Sequence, residues 1–274
     1  MKFDIEMVGK IGSIALVDSE HRELDYNKFV RISRYLRPGM IWVSSGATVI
    51  GRYDYVRRNG KELEGAHDEV KADYSAQGQA ILMQTYRNFI DQKYSVRQVL
   101  LEHNHFNDEA KREHIKNLLL RCKEQNAIPI VNYNDCVSSE ENRKWEIEKL
   151  RSKKEGVVEL VDNDETASQV ACLVKSKLLV ILTSLDGIYE DVHNSSTLIK
   201  EISGKNVYEV LQNIDEIKKL CNGASREGAN GAKAKLEYIK PCIENGTKVI
   251  IASSRFDLAD IVEGKVPCTT IAVR

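Results

Sequence analysis

Short apolar runs alternate with longer amphipathic stretches along most of the chain, and nearly every apolar run ends in polar residues and glycines. Phe3 to Val8 alternates apolar and polar positions and then meets Gly9-Lys10-Ile11-Gly12-Ser13, which predicts a strand running into a flexible, lysine-bearing loop. Tyr26 to Leu36 has helical periodicity and stops at Pro38-Gly39; Met40 to Val43 follows as a compact strand ending in Ser44-Ser45-Gly46-Ala47. The same alternation predicts a helix over 76–90, a strand at Val96 to Leu101, a helix at Glu109 to Glu124 and a strand at Ala127 to Val131.

The charged stretch Ser138 to Lys154 reads as an inserted surface loop or short helix, followed by a strand at Val157 to Val161. Beyond Asp162-Asn163-Asp164, the pattern predicts a helix from Thr166 to Lys175 and a strand at Leu178 to Leu182, apolar enough to be buried on both faces. Helices near Val207 to Ile214 and Lys235 to Asn245 flank a glycine-rich stretch from Gly223 to Gly231, Lys248 to Ala252 follows as a strand, and a last strand stands just before Arg274. Strands and helices in this order imply βαβ units: a three-layer αβα sandwich around a mainly parallel open sheet, with ligands beyond the carboxyl ends of its strands.

Composition narrows the chemistry. The 274 residues suffice for one large core or two modest lobes, and 40 Lys+Arg against 41 Asp+Glu leave a net charge of -1, so no global field recruits nucleic acid or a membrane surface. The six cysteines form no C-x-x-C pair, and no segment approaches the roughly 20 apolar residues of a membrane span. A reducing, cytoplasmic location is expected. His103, His105 and His114 match no common metal spacing and are assigned no metal.

The polar clusters carry lysines beside glycines, which suits phosphoryl transfer: close backbone N–H groups and mobile positive charge. Neither the G-x-x-x-x-G-K-[ST] loop nor the protein-kinase H-R-D and D-F-G signatures occur. Taken singly, each cluster is also ordinary turn chemistry; Asn134-Asp135 could be a turn, and Asp162-Asn163-Asp164 a helix cap.

Their joint order resembles the amino-acid kinase family over almost the whole chain, and within it the glutamate 5-kinases. The matching segments are Lys10-Ile11-Gly12-Ser13, Val43-Ser44-Ser45-Gly46-Ala47, Ala76-Gln77-Gly78-Gln79, Pro129 to Asp135, Asp162-Asn163-Asp164 and Leu182 to Tyr189. The resemblance implies ATP with Mg2+ as donor, L-glutamate as acceptor and the first step of proline biosynthesis. It makes Lys10 and Lys235 the lysines that bracket the transferred phosphoryl group, with Asp164 between them. It places Ser45, Asn132, Asp135 and Asn163 around the amino acid, Gly12, Ser13 and Gly231 in a phosphate cradle, and Thr183, Ser184, Asp186 and Tyr189 near the nucleotide.

Departures from the pattern fall on the nucleotide side. Gly228-Ala229-Asn230-Gly231-Ala232 stands where the family carries a threonine-containing glycine motif, and Ser184 stands where aspartate is common. Lys233 competes with Lys235, the register to Val249-Ile250-Ile251 favouring Lys235. Arg52 to Lys71 reads as a solvated loop, or as a flap over the substrate. One kinase domain over 1–274 is expected, with an acceptor half to about 160, a nucleotide half beyond it and no C-terminal PUA domain, as a homodimer or homotetramer. A sister activity of the family, or a non-catalytic ligand sensor, remains the alternative.

Overall fold

A computed structural model describes residues 2–138, 140–221 and 231–274. Along the chain it forms β1 (Ile5–Ile11), a 3-10 turn (Ser13–Leu16), β2 (Val17–Asp18), β3 (Glu23–Leu24), α1 (Tyr26–Ser33), β4 (Met40–Ser44), α2 (Ala47–Asn59) and α3 (His67–Phe89). Next come β5 (Ser95–Leu101), α4 (Asn104–Asn107), α5 (Glu109–Glu124), β6 (Ala127–Tyr133), α6 (Glu140–Arg151), α7 (Asn163–Leu173), β7 (Ser176–Thr183) and β8 (Ile188–Tyr189). The remainder is β9 (Leu198–Ile199), β10 (Glu201–Gly204), α8 (Val207–Leu220), α9 (Gly231–Tyr238), α10 (Lys240–Glu244), β11 (Lys248–Ser253), α11 (Leu258–Val262) and β12 (Cys268–Val273). This is the expected α/β class, with mostly parallel strands flanked by helices.

The chain divides into two compact units. The first takes Met1–Ile11, Gly39–Ile41 and Asp164–Arg274; its strands lie in the order β10-β12-β11-β7-β1. β1 joins the C-terminal residues because it pairs in parallel with β7, whose run Leu179 to Leu182 is buried. β7 pairs in parallel with β11, β11 with β12 is antiparallel, and β8 and β9 form a separate antiparallel pair. The register sets Ile11 opposite Leu182 and Ser253 opposite Thr183, so three neighbouring strands present their carboxyl ends together.

The second unit takes Gly12–Pro38 and Trp42–Asn163. Its β6 is buried throughout and pairs in parallel with β4 and β5. Beneath it, Trp42 Nε1 donates to the Tyr86 hydroxyl at 2.9 Å, and Ser44 meets the same oxygen at 2.9 Å. Burial pushes the Tyr86 phenol well above its ordinary pKa, so it is a fixed neutral hydrogen-bonding group.

α2 and α3 cross at backbone contact. A Cβ on Gly78 would lie 1.8 Å from the Ala47 carbonyl oxygen, and one on Gly51 equally close to that of Tyr74. This explains the glycine in Ala76-Gln77-Gly78-Gln79: it lets α3 approach the start of α2, which carries the turn after β4. Gly78→Ala is therefore expected to cost about 1–3 kcal/mol or more, since only movement of a whole helix relieves the clash. Urea denaturation of the variant checks this.

Several expectations need correction. Gly9 and Lys10 lie inside β1 rather than in a loop, because pairing with β7 continues to Ile11. Val157 to Val161 is irregular instead of a strand: the Asn107 side chain accepts from Val158 N at 3.1 Å and donates to its carbonyl, and Arg143 donates to the Leu160 carbonyl at 3.0 Å. Side chains there satisfy groups that a neighbouring strand would otherwise take. Arg52 to Lys71 is mostly helix rather than a loop, belonging to α2 and α3 with only 60–66 between them, whereas the charged insertion takes the helical one of its two expected forms as α6. The helix predicted over Lys235 to Asn245 is two short ones, α9 and α10, the second with Pro241 in its first turn.

Candidate active site

Within the first unit, Lys10 sits near the end of β1, Asp164 in the first turn of α7 and Lys235 in α9. Lys10 Nζ is 2.5 Å from Asp164 Oδ1, and Lys235 Nζ is 3.0 Å from Oδ2. The side chains of Lys10 and Asp164 are 10% and 7% exposed, that of Lys235 21%. Burial favours the neutral acid at Asp164, but the charges of Lys10 and then Lys235, with their hydrogen bonds, prevail and hold its pKa below 3.8. The cluster thus carries two ammonium groups on one carboxylate, a net positive charge at a strand end. Lys233 is exposed; among the described residues, Lys235 is the α9 lysine that reaches Asp164.

β7 ends at Thr183 and turns into β8. Thr183 Oγ1 accepts from Leu185 N at 3.1 Å, closing the turn that holds Ser184, and Thr183 O accepts from Ser254 N at 2.9 Å. Asp186 binds Arg255 at 2.6 Å, and the Tyr189 phenol is pushed up by burial and then by the Asp186 carboxylate. Arg255 is a member of this turn that sequence reasoning missed; the polar run Ser253-Ser254-Arg255 after an apolar strand was its signal. Gly231 opens α9 with φ 62°; Gly228 to Asn230 of the expected cradle lie outside the described residues.

The second unit holds a chain of amides. Asn163 Nδ2 donates to Ser45 Oγ at 2.7 Å and to Asn132 Oδ1 at 3.2 Å, and Asn132 Nδ2 donates to Gln79 Oε1 at 2.9 Å. Ser45 is placed by β4 and by Gly46, whose φ of 111° turns the chain into α2. Asn132 lies on β6, opposite Leu100 of β5, and Gln79 projects from α3 one residue after the close-contact Gly78. Among the described residues, Asn163 Oδ1 and Gln79 Nε2 are buried without a hydrogen-bond partner. The amide chain thus keeps one acceptor and one donor unpaired, which is uncommon for buried polar groups. Gln79 lies in a matched segment, yet a glutamine beside a glycine carries no sequence signature of its own.

Asp135 lies outside the amide chain. Its carboxylate pairs with Lys71 of α3 at 3.2 Å. Gly12 and Ser13 follow β1 at the start of the 3-10 turn, where Gly12 O accepts from Ala15 N at 3.2 Å.

The sequence signature of the Amino acid kinase family matches residues 7–253. The chain belongs to that family. This amino acid kinase is 28% identical over 261 residues to the "Glutamate 5-kinase" of Streptococcus suis, covering 92% of this chain and 66% of that one. It thus spans just under two thirds of that relative's length. It is 28% identical over 279 residues to the "Glutamate 5-kinase" of Clostridium perfringens, covering 97% of this chain and 94% of the other. In fold it is similar to carbamate kinase from Giardia lamblia, with a TM-score of 0.60 at 13% identity over 98% of each chain. It is also similar in fold to UMP kinase from Ureaplasma parvum, with a TM-score of 0.54 at 12% identity over 98% of this chain and 96% of that one. Among the described residues no helix is long and apolar enough to cross a membrane, and no group of three or more His, Cys, Asp or Glu could hold a metal ion.

Proposed function

We propose that this kinase transfers the γ-phosphoryl group of ATP to the side-chain carboxylate of L-glutamate, giving glutamyl 5-phosphate and ADP. The observation that carries the reading is the pair of lysines held on one buried carboxylate, Lys10 and Lys235 on Asp164. A phosphoryl group in transfer spreads negative charge over its equatorial oxygens, and preorganised cations stabilise that charge without reorganising at the moment of reaction. An ionised carboxylate oxygen attacks the γ-phosphorus in line, and the bond to the bridging oxygen breaks with its electrons leaving on ADP. No general base is needed, because the acceptor is already ionised at neutral pH.

Asp164 is a positioning group in this scheme, its two oxygens occupied by the lysines. Mg2+ would therefore arrive on the ATP phosphates and share their charge, consistent with its preference for phosphate and water oxygens. Thr183, Ser184, Asp186, Tyr189, Gly12, Ser13 and Gly231 are assigned to the nucleotide and its phosphates. Ser45, Asn132, Asn163 and Asp135 are assigned to the amino acid; the amides and hydroxyl suit carboxylate oxygens, and Asp135 suits the α-ammonium. The glutamate 5-kinase names of the relatives favour this acceptor over aspartate, acetylglutamate or uridylate. With it go a single kinase domain, a cytoplasmic homodimer or homotetramer, and the first step of proline biosynthesis.

An ADP-release assay with L-glutamate, aspartate, acetylglutamate and UMP tests the reading, with hydroxylamine added to trap an acyl phosphate as its hydroxamate. Glutamate-dependent ADP release with hydroxamate is expected. Turnover with another acceptor and none with glutamate would replace this reading with a sister activity; ATP binding without any turnover would favour a sensor.

A further inference from the structure

Lys71 and Asp135 form a pair of opposite charges in the second unit, 3.2 Å apart. They line a small recess with Tyr133, Ser138, Glu140 and Arg143. The other charged groups there have direct partners of their own: Glu140 pairs with Lys144 at 2.6 Å and feels the charges of Arg143 and Lys71 more weakly, and Arg143 donates to the Leu160 carbonyl at 3.0 Å and lies above the Tyr133 ring. Lys71 is 44% exposed, on the second turn of α3, and Asp135 is its only ion-pair partner among the described residues. It is the cation in this recess that is free to change partners.

We propose that Lys71 binds the α-carboxylate of the acceptor, making Lys71 and Asp135 a clamp matched to the zwitterionic end of a free α-amino acid. The proposal rests on the acceptor reading above and deepens it. An α-ammonium arriving at Asp135 brings like charge against Lys71 and displaces it. The same carbon carries a carboxylate, so the displaced ammonium needs to move only to the next group. The charges then alternate: Asp135 carboxylate, substrate ammonium, substrate carboxylate, Lys71 ammonium. Each keeps an opposite partner, and the ion pair given up is replaced by two.

A ligand lacking either charge breaks the alternation. Without the α-carboxylate charge, Lys71 loses its partner; with an acylated nitrogen, Asp135 does. Free amino acids are therefore selected over N-acylated and α-amidated ones at this pair, while the amide chain of Ser45, Asn163, Asn132 and Gln79 is left for the reacting end.

Calorimetric titration of L-glutamate and its α-amide into wild type, Lys71→Met and Lys71→Arg tests the clamp without relying on turnover. Wild type is expected to bind glutamate at least about tenfold more tightly than the α-amide, the scale of one charge-assisted hydrogen bond. Lys71→Met is expected to lose that preference by weakening glutamate alone, the α-amide binding as in wild type or more tightly; Lys71→Arg is expected to restore part of it. Equal loss for both ligands would make Lys71 a structural residue, tighter glutamate binding by Lys71→Met would make it a mere occupant of Asp135, and no binding of either ligand to wild type would leave no clamp; each overturns the proposal. Glutamate binding with the expected preference but no acyl phosphate would instead overturn the function proposed above and leave the clamp standing.

Discussion

Lys10→Met is expected to lower kcat by about 10²–10³-fold or more, with much smaller changes in the KM for ATP and acceptor, in line with the loss of one preorganised charge at a transition state. The methionine keeps an unbranched apolar stem in β1, and Asp164 retains Lys235, so the strand and α7 keep their places. What disappears is an ammonium group 2.5 Å from the carboxylate that orients it. Lys235→Met is expected to act in the same direction, and the double variant to lose less than the product of the two, because residues acting on one group are not additive. Steady-state ADP release gives the split between kcat and KM. A Lys10→Met enzyme with wild-type kcat and a raised KM for ATP would show that Lys10 only binds the ground state.

The second large effect is on stability. Asp164→Asn removes the carboxylate that two ammonium groups share, one of them on a lysine only 8% exposed, and breaking a buried pair from one side costs about 3–5 kcal/mol. The pH dependence follows from the sign of the shift. The folded-state pKa of Asp164 lies below its ordinary 3.8, so the unfolded chain takes up its proton first as pH falls. Its contribution is complete above about pH 4 and is lost as pH falls through the folded-state value. Urea denaturation of wild type and Asp164→Asn should therefore show a large gap at pH 7 that narrows below pH 4. A gap that stays constant into acid would mean that the ion pairs contribute little and the cost is one of packing.

Gln79 and Lys71 show where sequence reading runs out. Both project from α3, one beside a helix crossing and one near its first turn, and each meets a partner far along the chain: Asn132 for Gln79, Asp135 for Lys71. Arg255 reaches Asp186 across 69 positions in the same way. A charged or amide side chain carries no mark of its partner when that partner is set by strand order. Val157 to Val161 departs from a strand for a related cause: the run is apolar enough for one, but Asn107 takes both backbone groups of Val158 and Arg143 the Leu160 carbonyl.

Local patterning by itself determined the alternation of strands and helices over most of the chain. α5 runs over Glu109–Glu124 as predicted, and β7 forms around the apolar run Leu178 to Leu182, because periodicity and end signals act within a few residues of one another. It also determined that Lys10, Ser45, Asn132, Asn163 and Asp164 stand at or just beyond the carboxyl side of apolar runs. Only the tertiary structure decided that Lys10 remains in the strand and shares Asp164 with Lys235, while Lys233 three residues into the same helix faces solvent. Side chains two apart on a helix point in different directions, and which of them meets a buried carboxylate depends on how α9 lies against the rest of its unit, a long-range outcome that no local pattern encodes.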